Sequence, residues 1–323
     1  MIRRPPRYTL MRSSAASDVY KRQVYWNFIH SHYPYFWVKH LYKRELGKEV
    51  DLKNPRDINE KILWLEFFTD TRLWSRLADK YAVREYVKSR IGSDVLVPLL
   101  GHWDSADAID FNTLPNSFVI KPNNGSYDTI IVSDKNQINL NDVRSRLANS
   151  LNSKFGLDNA EPHYLRIRPC IIAEEMLHPN DSQGLADYKI WCFNGNPYCF
   201  LVCVDRNPIT RHADLIYYDL QWHKRNEYIA ESFRNEKSCP KPANLTELLD
   251  MAAKLSKGLP QCRVDMYVVN GKIYFGEMTL TSNYGMMPYF TQETLDDMGR
   301  LCKLPKRTFT DRWYSFMTRY LPK

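Results

Sequence analysis

The segment Gln261–Gly285, QCRVDMYVVNGKIYFGEMTLTSNYG, decides the fold of this chain. It predicts a two-stranded hairpin with strands over Arg263–Val269 and Lys272–Met278, because an Asn-Gly turn between two runs of β-forming residues is the strongest short-range hairpin signal. Successive side chains of a strand point to opposite faces. Conventional pairing across the turn therefore brings Asp265 and Glu277 together on one side of the hairpin.

The same alternation predicts that Phe275, Glu277 and Thr279 share one face of the second strand. Two carboxylates on a sheet rich in Val, Ile, Tyr and Phe are costly unless a positive group lies between them. Carboxylate oxygens are hard ligands that suit Mg²⁺, particularly Mg²⁺ that also holds substrate phosphates. From the hairpin alone, the alternative that both acids are solvated residues of an exposed face stays open.

The length and the charge of the chain restrict the kinds of protein that it can be. With 323 residues, 44% of them hydrophobic, the chain can bury a core and form more than one subdomain. The formal net charge is +8, but residues 1–23 contain six Lys/Arg and one Asp, so the remainder carries only +3. A nucleic-acid-binding surface needs basic residues on the folded part, so we expect no nucleic-acid partner. Seven cysteines without C-x-x-C spacing predict reduced thiols in a cytosolic protein.

The amino-terminal residues 1–23 match nothing that follows. They begin with basic residues but lack the apolar stretch of a signal peptide, while their composition leaves a transit peptide open. They also resemble the translated read-through of a sequencing adapter. We therefore expect a non-native or disordered leader, with the native chain starting at or before Val24. No apolar run is long enough to span a bilayer, and the best, Tyr198–Val204, has the length of a strand.

Short strands and helices alternate along the chain, which predicts the α+β class. Val24–Tyr42 is rich in aromatic residues and favours a surface helix; metal binding by His30 and His32 is the alternative, without an acidic or cysteine partner nearby. Asp57 followed by Glu60 predicts a capped helix start. Further helices are predicted over Trp74–Arg90, Asn141–Phe155 and Asn244–Lys257, and strands over Val95–Leu99, Ser117–Lys121, Ile130–Val132, Cys170–Glu174, Asp187–Phe193 and Tyr198–Val204.

Three further motifs contain polar residues that could carry chemistry. Lys121 ends a strand and is followed, up to Ser126, by small and polar residues that can turn backbone N–H groups toward a phosphate. Glu174 ends an apolar strand, where a purine could bind the backbone while the carboxylate takes its amine. Asp187 and Lys189 open another strand. Each motif alone also fits a plain surface hairpin or edge strand, and these alternatives stay open.

In this order and spacing, the motifs resemble the ATP-grasp superfamily, whose members hold ATP between two α+β subdomains. The closer resemblance is to the TupA-like branch found with teichuronopeptide and capsular-polysaccharide synthesis. It runs from about Asn54 to Gly285. It is carried by the segments NPRDINEKILWL, LADKYAVREYV, VPLLGHWD, LPNSFVIKPNNGS, AEEML, DYKIWCFNG and RVDMYVVNGKIYFGEMT.

The resemblance implies an ATP-grasp fold that clamps ATP between two α+β subdomains. A helical amino-terminal region would occupy residues 24–93, a small subdomain 94–175 and a large subdomain with a magnesium site 176–295. Residues 296–323 would form a basic amphipathic helix.

The resemblance also implies a nucleotide site. Lys80 and Lys121 would contact the nucleotide phosphates, with Lys189 close to them. A mobile loop over the phosphates would consist of Asn123, Asn124, Gly125 and Ser126. Adenine would be contacted by Glu174 and by the backbone of Glu175 through Leu177, and Asp187 would receive the ribose hydroxyls.

For the reacting centre, the resemblance implies that Asp265 and Glu277 ligate Mg²⁺. Thr279 stands where many superfamily members have Asn, a departure that the TupA-like branch itself shows, and would supply the third ligand. Arg263 would face an acyl phosphate and act with Lys121 and Lys189 in catalysis. Tyr127 departs from the pattern, because a bulky side chain in the phosphate loop bears on how that loop closes.

The implied activity is an ATP- and Mg²⁺-dependent carboxylate–amine ligase with an acyl-phosphate intermediate, acting in cell-surface polysaccharide synthesis. Its partners would be small-molecule or glycan carboxylates and amines, and its location cytoplasmic. A glycosyltransferase and a non-catalytic ATP-binding protein are the alternatives. Acceptor-side candidates are the segment Ser282–Gly285 and the residues Asp205, Arg206, Arg211 and His212.

The tail Lys303–Lys323 mixes basic residues with Trp313, Phe316 and Tyr320. This pattern is typical of a helix that lies on an anionic membrane, here the inner face where lipid-linked glycans are assembled. A helix that packs on the body of the protein is the alternative.

Overall fold

Two antiparallel β-sheets with helices packed on them form the chain. The computed structural model describes residues 33–126, 128–179, 186–204 and 213–319, with side chains as far as residue 316. The first sheet contains β1 (Leu99–Trp103), β2 (Phe118–Pro122), β3 (Ile130–Val132) and β4 (Ile171–Glu175), in the order β1-β4-β2-β3. The second contains β5 (Asp187–Phe193), β6 (Asn196–Val204), β7 (Asp214–Tyr218), β8 (Gln261–Val269) and β9 (Lys272–Thr279), in the order β7-β6-β5-β8-β9.

The α-helices contribute to three hydrophobic cores. They are α1 (Pro34–Leu46), α2 (Ile58–Phe68), α3 (Arg72–Ala78), α4 (Val83–Ile91), α5 (Leu140–Asn152), α6 (Leu245–Ser256), α7 (Gln292–Leu301) and α8 (Phe309–Arg319). The largest core joins the second sheet to α2, α3, α4, α6 and α7, a second core joins the first sheet to α5, and a third joins α1 to α2. The α+β class is confirmed.

The hairpin β8–β9 has the predicted turn and pairing. Asn270 and Gly271 have φ angles of 53° and 77°, as a two-residue turn between twisted strands requires. Asp265 pairs directly with Glu277. A β-bulge at Gly276 shifts the register, so that Phe275 pairs with Met266.

Because of the bulge, the prediction that Phe275, Glu277 and Thr279 share one face is wrong. Phe275 is buried in the core, whereas Glu277 and Thr279 lie on the other, partly exposed face. Strict alternation put all three on one face because it cannot count the extra residue of a bulge. The bulge therefore permits an apolar residue and a carboxylate two positions apart to face opposite sides.

The predicted helix over Trp74–Arg90 is two helices, α3 and α4, with a break at Asp79. The Asp79 carboxylate accepts hydrogen bonds from the N–H groups of Tyr81 and Ala82, at 2.8 and 3.1 Å. These local bonds compete with the helix ladder and start a new helix. As a result Lys80 lies in a turn rather than on a helix face.

Three other predicted elements differ from the structure. Val95–Leu99 is not a strand: Pro98 has no N–H to donate, and β1 begins only at Leu99. The carboxyl-terminal region 296–323 is not one helix, because residues 302–308, which include Pro305, separate α7 from α8. The predicted helix over Asn141–Phe155 is shorter, ending at Asn152.

Asp57 caps α2 as predicted, with its carboxylate accepting from the Glu60 N–H at 2.9 Å. The seven cysteines all lie among the described residues and are free thiols. In the portions of the chain that the structure covers, no helix combines the length and apolarity that a membrane crossing would need. The predictions on residues 1–23, His30, His32 and Tyr127, and on Asp205, Arg206, Arg211, His212 and Tyr320, concern positions outside the described residues.

Asn123 locks the loop after β2 to its surroundings. It is 1% exposed, and its side chain donates to Asp79 Oδ1 at 2.8 Å and to Arg168 O at 3.1 Å, while accepting from the Cys170 N–H at 2.8 Å. Its backbone N–H donates to Cys170 O at 2.9 Å, and its carbonyl accepts from the Lys80 N–H at 3.1 Å. Asn123 is therefore an anchor of this loop rather than part of a mobile segment.

We predict that Asn123→Ala lowers the free energy of unfolding by about 2–4 kcal/mol, because it leaves a buried N–H and a buried carbonyl without their partners. Urea denaturation followed by circular dichroism would measure the change. Asn112→Ala, at an exposed position of the same sheet region, is the matched control and should stay within about 0.5 kcal/mol of the parent. Equal stability of the Asn123 and Asn112 variants would contradict the anchoring role.

Candidate functional site

Charged side chains meet at the centre of the second sheet, on the partly exposed face to which the bulge turns Glu277. Asp265 on β8 pairs in register with Lys189 on β5 and with Glu277 on β9. Lys189 Nζ lies 2.5 Å from Asp265 Oδ2, and only 2% of the Asp265 side chain is exposed. With Arg263, which stands two residues before Asp265, these residues form what we call the charged cluster.

Arg263 ties the cluster together. Its guanidinium binds Asp265 with two hydrogen bonds of 2.6 Å, and its Nη2 also reaches Glu277 Oε1 at 3.3 Å and Thr279 Oγ1 at 3.0 Å. The ring of Trp191 lies against it, with the centroid 5.5 Å from Cζ. The planar fork of an arginine suits such bidentate contact, which holds the carboxylate in one orientation.

Burial and ion pairing shift the pKa values of the side chains in the charged cluster in opposite directions. Burial by itself would lower the pKa of Lys189, but the carboxylates of Asp187 and Asp265 outweigh it and raise that pKa. Burial would raise the pKa of Asp265, and Arg263 and Lys189 reverse this and lower it. For Asp187, burial prevails over Lys189, which lies 2.7 Å away, and its pKa is raised. The cluster thus keeps Asp265 ionised inside the protein.

The predicted phosphate lysines face the same region. Lys80 Nζ donates a short hydrogen bond to Gly125 O, which ties the turn between α3 and α4 to the loop after β2. Burial lowers the pKa of Lys80, Lys121 lowers it further, and Glu277 acts in the opposite direction. Since these charges act on Lys80, the structure brings both predicted lysines and a carboxylate of the charged cluster together.

Glu174 is held between two cations. Its Oε2 lies 2.6 Å from Lys121 Nζ and its Oε1 lies 2.7 Å from Arg84 Nη1. Arg84 also donates to Val97 O at 2.8 Å. Arg84 lies within the predicted helix Trp74–Arg90, and no motif marked this contact, because Arg84 and Glu174 are 90 positions apart.

The other predicted nucleotide residues lie around this pair. Asn124 and Gly125 are buried and Ser126 is partly exposed. The N–H of Glu175 donates to Pro98 O at 3.0 Å, so that group is committed within the protein, while the Glu175 side chain is exposed and Leu177 is partly buried. The loop 124–126 follows the end of β2 at which Lys121 lies, whereas Glu175 pairs with Phe118 at the opposite end of that strand.

The segment after β9 has an unusual backbone. Asn283, Tyr284 and Gly285 have φ angles of 46°, 59° and 70°, a left-handed run that is costly for a tyrosine. Arg263 Nη1 donates to Ser282 Oγ at 3.3 Å, which links this run to the charged cluster. Strain of this kind collects at functional sites, and the segment is the one predicted for substrate contact.

The oxygen atoms of Asp265, Glu277 and Thr279 are donors of the kind that Mg²⁺ accepts. Two carboxylates and a hydroxyl are few ligands for a protein-only metal site. Across the described ranges, no group of three or more His, Cys, Asp or Glu side chains is arranged to hold a metal. The set fits an ion that takes its remaining ligands from substrate phosphates and water. Glu277, with 41% of its side chain exposed, is open to such an ion.

A buried acid next to the site was not found from the sequence. Glu161 is 3% exposed and accepts a hydrogen bond from Thr281 Oγ1, the residue before Ser282. Burial raises the pKa of Glu161 to about 8, against hydrogen bonds that lower it. The neighbouring Tyr164 senses the charges of Glu161, Glu277 and Arg263, so Glu161 lies just behind the charged cluster. No motif marks this residue, because its partner is 120 positions away.

A second buried pair extends from Glu161 toward α2. His163 Nδ1 lies 3.0 Å from Glu66 Oε1, and both side chains are fully buried. Burial lowers the pKa of His163 to about 3 and raises the pKa of Glu66, to which Glu161 adds. Burial thus disfavours the charged form of each of the two side chains.

We predict that Glu161→Gln changes the pH dependence of stability. A buried acid whose pKa is raised from about 4.3 in the unfolded chain to about 8 stabilises the fold below the unfolded value and loses this as pH rises toward the folded value. The variant should therefore match the parent only below about pH 4 and exceed its unfolding free energy increasingly up to pH 8, by at most about 1.4 kcal/mol per pH unit.

Urea denaturation at pH 5, 6, 7 and 8 measures this difference. The exposed Glu247→Gln, on α6, is the matched control and should leave the pH profile unchanged. Parallel profiles for the parent and the Glu161 variant would show that Glu161 titrates normally and would contradict the prediction.

Comparison with known proteins agrees with this architecture. The family model described as TupA-like ATPgrasp matches residues 60–303. A search of curated proteins found no match. Among solved structures, the chain is similar to D-alanine–D-alanine ligase from Helicobacter pylori, with 17% identity, coverage of 77% of this chain and 70% of that chain, and a TM-score of 0.42. The corresponding ligase from Bacillus anthracis, complexed with ATP, has 16% identity, coverage of 76% and 71%, and a TM-score of 0.42.

A third structure, the D-cycloserine synthetase DcsG, has 16% identity, coverage of 72% of each chain and a TM-score of 0.40. At these identities and TM-scores the likeness carries no argument about this chain. The family match is of another kind, because it spans most of the chain and includes β1 to β9, Lys80, Lys121 and the charged cluster. The chain belongs to the TupA-like ATPgrasp family and has an ATP-grasp fold.

Proposed function

We propose that the chain is an ATP- and Mg²⁺-dependent carboxylate–amine ligase that acts in the cytoplasm on precursors of a cell-surface polysaccharide, of the capsular or teichuronopeptide kind. The observation that carries the proposal is the charged cluster, whose Glu277 acts, together with Lys121, on the buried Lys80 in the turn between α3 and α4. The family supports an ATP-grasp ligase in general. The proposal goes beyond the family in two respects: the kind of bond that is formed and the polysaccharide to which the substrates belong.

In this proposal the nucleotide lies between the two sheets, which we take as subdomains over 94–175 and 176–295. Lys80 and Lys121 bind the phosphates, with backbone N–H groups of Asn124, Gly125 and Ser126 above them. Glu174 and the backbone of Glu175 through Leu177 meet adenine, and Asp187 receives the ribose hydroxyls. Glu174 already forms ion pairs with Lys121 and Arg84, which hold its carboxylate in one orientation for a further hydrogen bond.

Asp265, Glu277 and Thr279 would hold the magnesium ion. When bound, Mg²⁺ would neutralise phosphate charge and align the transferred phosphoryl group. Asp265 is well suited to this task, since Arg263 and Lys189 keep it ionised and fixed. Its two cationic partners also extend a positive field toward the reacting groups.

The chain's own contribution to the chemistry is positioning and charge. A carboxylate is a poor electrophile, so it would first accept the γ-phosphoryl group of ATP to form an acyl phosphate. An amine would then attack the acyl carbon and displace phosphate. Arg263 would orient the carboxyl group, and Lys121 and Lys189 would stabilise the charge that develops on the transferred group. The strained segment Ser282–Gly285, fixed to Arg263, would then present the substrate.

We predict that Glu277→Gln lowers ATP-dependent phosphate release by about 100-fold or more, since several kcal/mol of charge stabilisation would be lost. The assay screens pairs of a carboxylate (uronic acids, lipid-linked acidic glycans) with an amine (acidic amino acids, amino sugars) in the presence of Mg²⁺ and ATP. The exposed Glu236→Gln is the matched control and should keep the parent rate.

Glu277 is a cleaner target than Asp265. Removing the charge of Asp265 would leave Arg263 and Lys189 buried without their counterion, so activity loss and unfolding would be confounded. A Glu277→Gln variant with the parent rate would exclude the metal assignment. Tight ATP binding without phosphate release for any pair would favour the non-catalytic alternative.

We predict that Lys80→Met and Lys121→Met each weaken Mg²⁺-ATP binding about 10- to 100-fold, because each removes a charged hydrogen bond to phosphate. Calorimetric titration measures the dissociation constants, and the exposed Lys254→Met is the matched control. UDP-sugars should not compete with ATP. Binding of UDP-sugars in place of ATP would instead support the glycosyltransferase alternative.

A further inference from the structure

The helix α8 packs on the protein with its polar side. Ser315 is 2% exposed and its hydroxyl donates to Phe67 O at 2.7 Å. Asp311 accepts from the Asp70 N–H at 2.8 Å, and the guanidinium of Arg72 lies 4.3 Å from the centroid of the Tyr314 ring. Among the side chains of α8 that the structure describes, a hydroxyl, a carboxylate and the face of one aromatic ring thus contact the body of the protein.

The opposite side of α8 presents large aromatic residues to solvent. Phe309 is 85% exposed and Trp313 is 58% exposed, and they stand four residues apart, on one face of the helix. Arg312, between them in sequence, is exposed as well. We call Phe309, Arg312 and Trp313 the outer face of α8. This is the reverse of what folding by itself produces, because a surface helix normally turns its apolar stripe to the core.

The surroundings of this face are basic. From residue 303 to 319 the sequence has five Lys or Arg and one acid, Asp311. That one carboxylate is turned away from the outer face, since it accepts from the Asp70 N–H and from Thr308. Lys303 and Lys306, in the segment leading into α8, are exposed. The face therefore offers aromatic rings with positive charge around them.

We propose that the outer face of α8 docks on an anionic lipid bilayer and attaches the enzyme peripherally to the membrane. Aromatic side chains bury in the headgroup boundary, and arginine and lysine bind anionic headgroups, so this combination matches a membrane surface better than an acidic or an apolar protein partner. The helix lies in the plane of the surface and does not cross it. The proposal does not depend on the ligase chemistry, because α8 contributes nothing to the charged cluster.

Co-sedimentation of the full chain with vesicles tests the proposal, using phosphatidylcholine with and without about one third phosphatidylglycerol. We expect binding to the anionic vesicles only, weakened at high salt, as charge-dependent attachment requires. Phe309→Ser with Trp313→Ser should abolish it, and Arg312→Ala should weaken it about fivefold. Ile131→Ser, which removes a residue that is 59% exposed on β3, is the matched control and should bind like the parent.

Thermal unfolding and light scattering accompany the assay. The serine variant should keep the parent Tm, because both side chains are exposed. Failure of the parent to bind anionic vesicles would overturn the proposal, as would equal binding by the serine variant or to neutral vesicles. If the parent forms a dimer that the serine variant does not form, and the parent does not bind vesicles, the outer face would be assigned to contact with a second copy of the chain instead.

Discussion

The pairing of Asp265 with Arg263 and Lys189 is the constraint on which the site depends. A carboxylate with 2% of its side chain exposed remains ionised only if cations replace the water that it has lost. Three neighbouring strands supply those cations and a second acid in register, so the sheet itself is the scaffold of the charge. Geometry this specific explains why the bulge at Gly276 matters: without it, Glu277 would point into the core.

Lys80 and Asn123 join the first sheet to the turn between α3 and α4. The break between α3 and α4 places Lys80 in a turn, from which its backbone binds Asn123 and its side chain binds Gly125. The loop after β2 is thereby anchored both at its start and at Gly125. An anchored loop of this kind can present N–H groups to an anion without the whole sheet having to move.

Much of the candidate site was accessible from the sequence because its signals are local. The Asn-Gly turn sets the register that pairs Asp265 with Glu277, and the strand-ending Lys121 and the Lys80 motif are short segments. Other features were missed because they are made by residues far apart. Glu161 and Thr281 meet across 120 positions, and Arg84 joins Glu174 across 90. Neither contact leaves a periodic or motif-like trace.

The sequence by itself determined the α+β class, the central hairpin and its two paired acids, since hydrophobic alternation and turn chemistry act between near neighbours. Tertiary structure alone decided the bulge that separates Phe275 from Glu277 and the outward orientation of the aromatic side of α8. Each of these results from competition between local preference and a distant hydrogen bond or packing contact. Composition records which residues are available for such contacts, but the fold decides which of them meet.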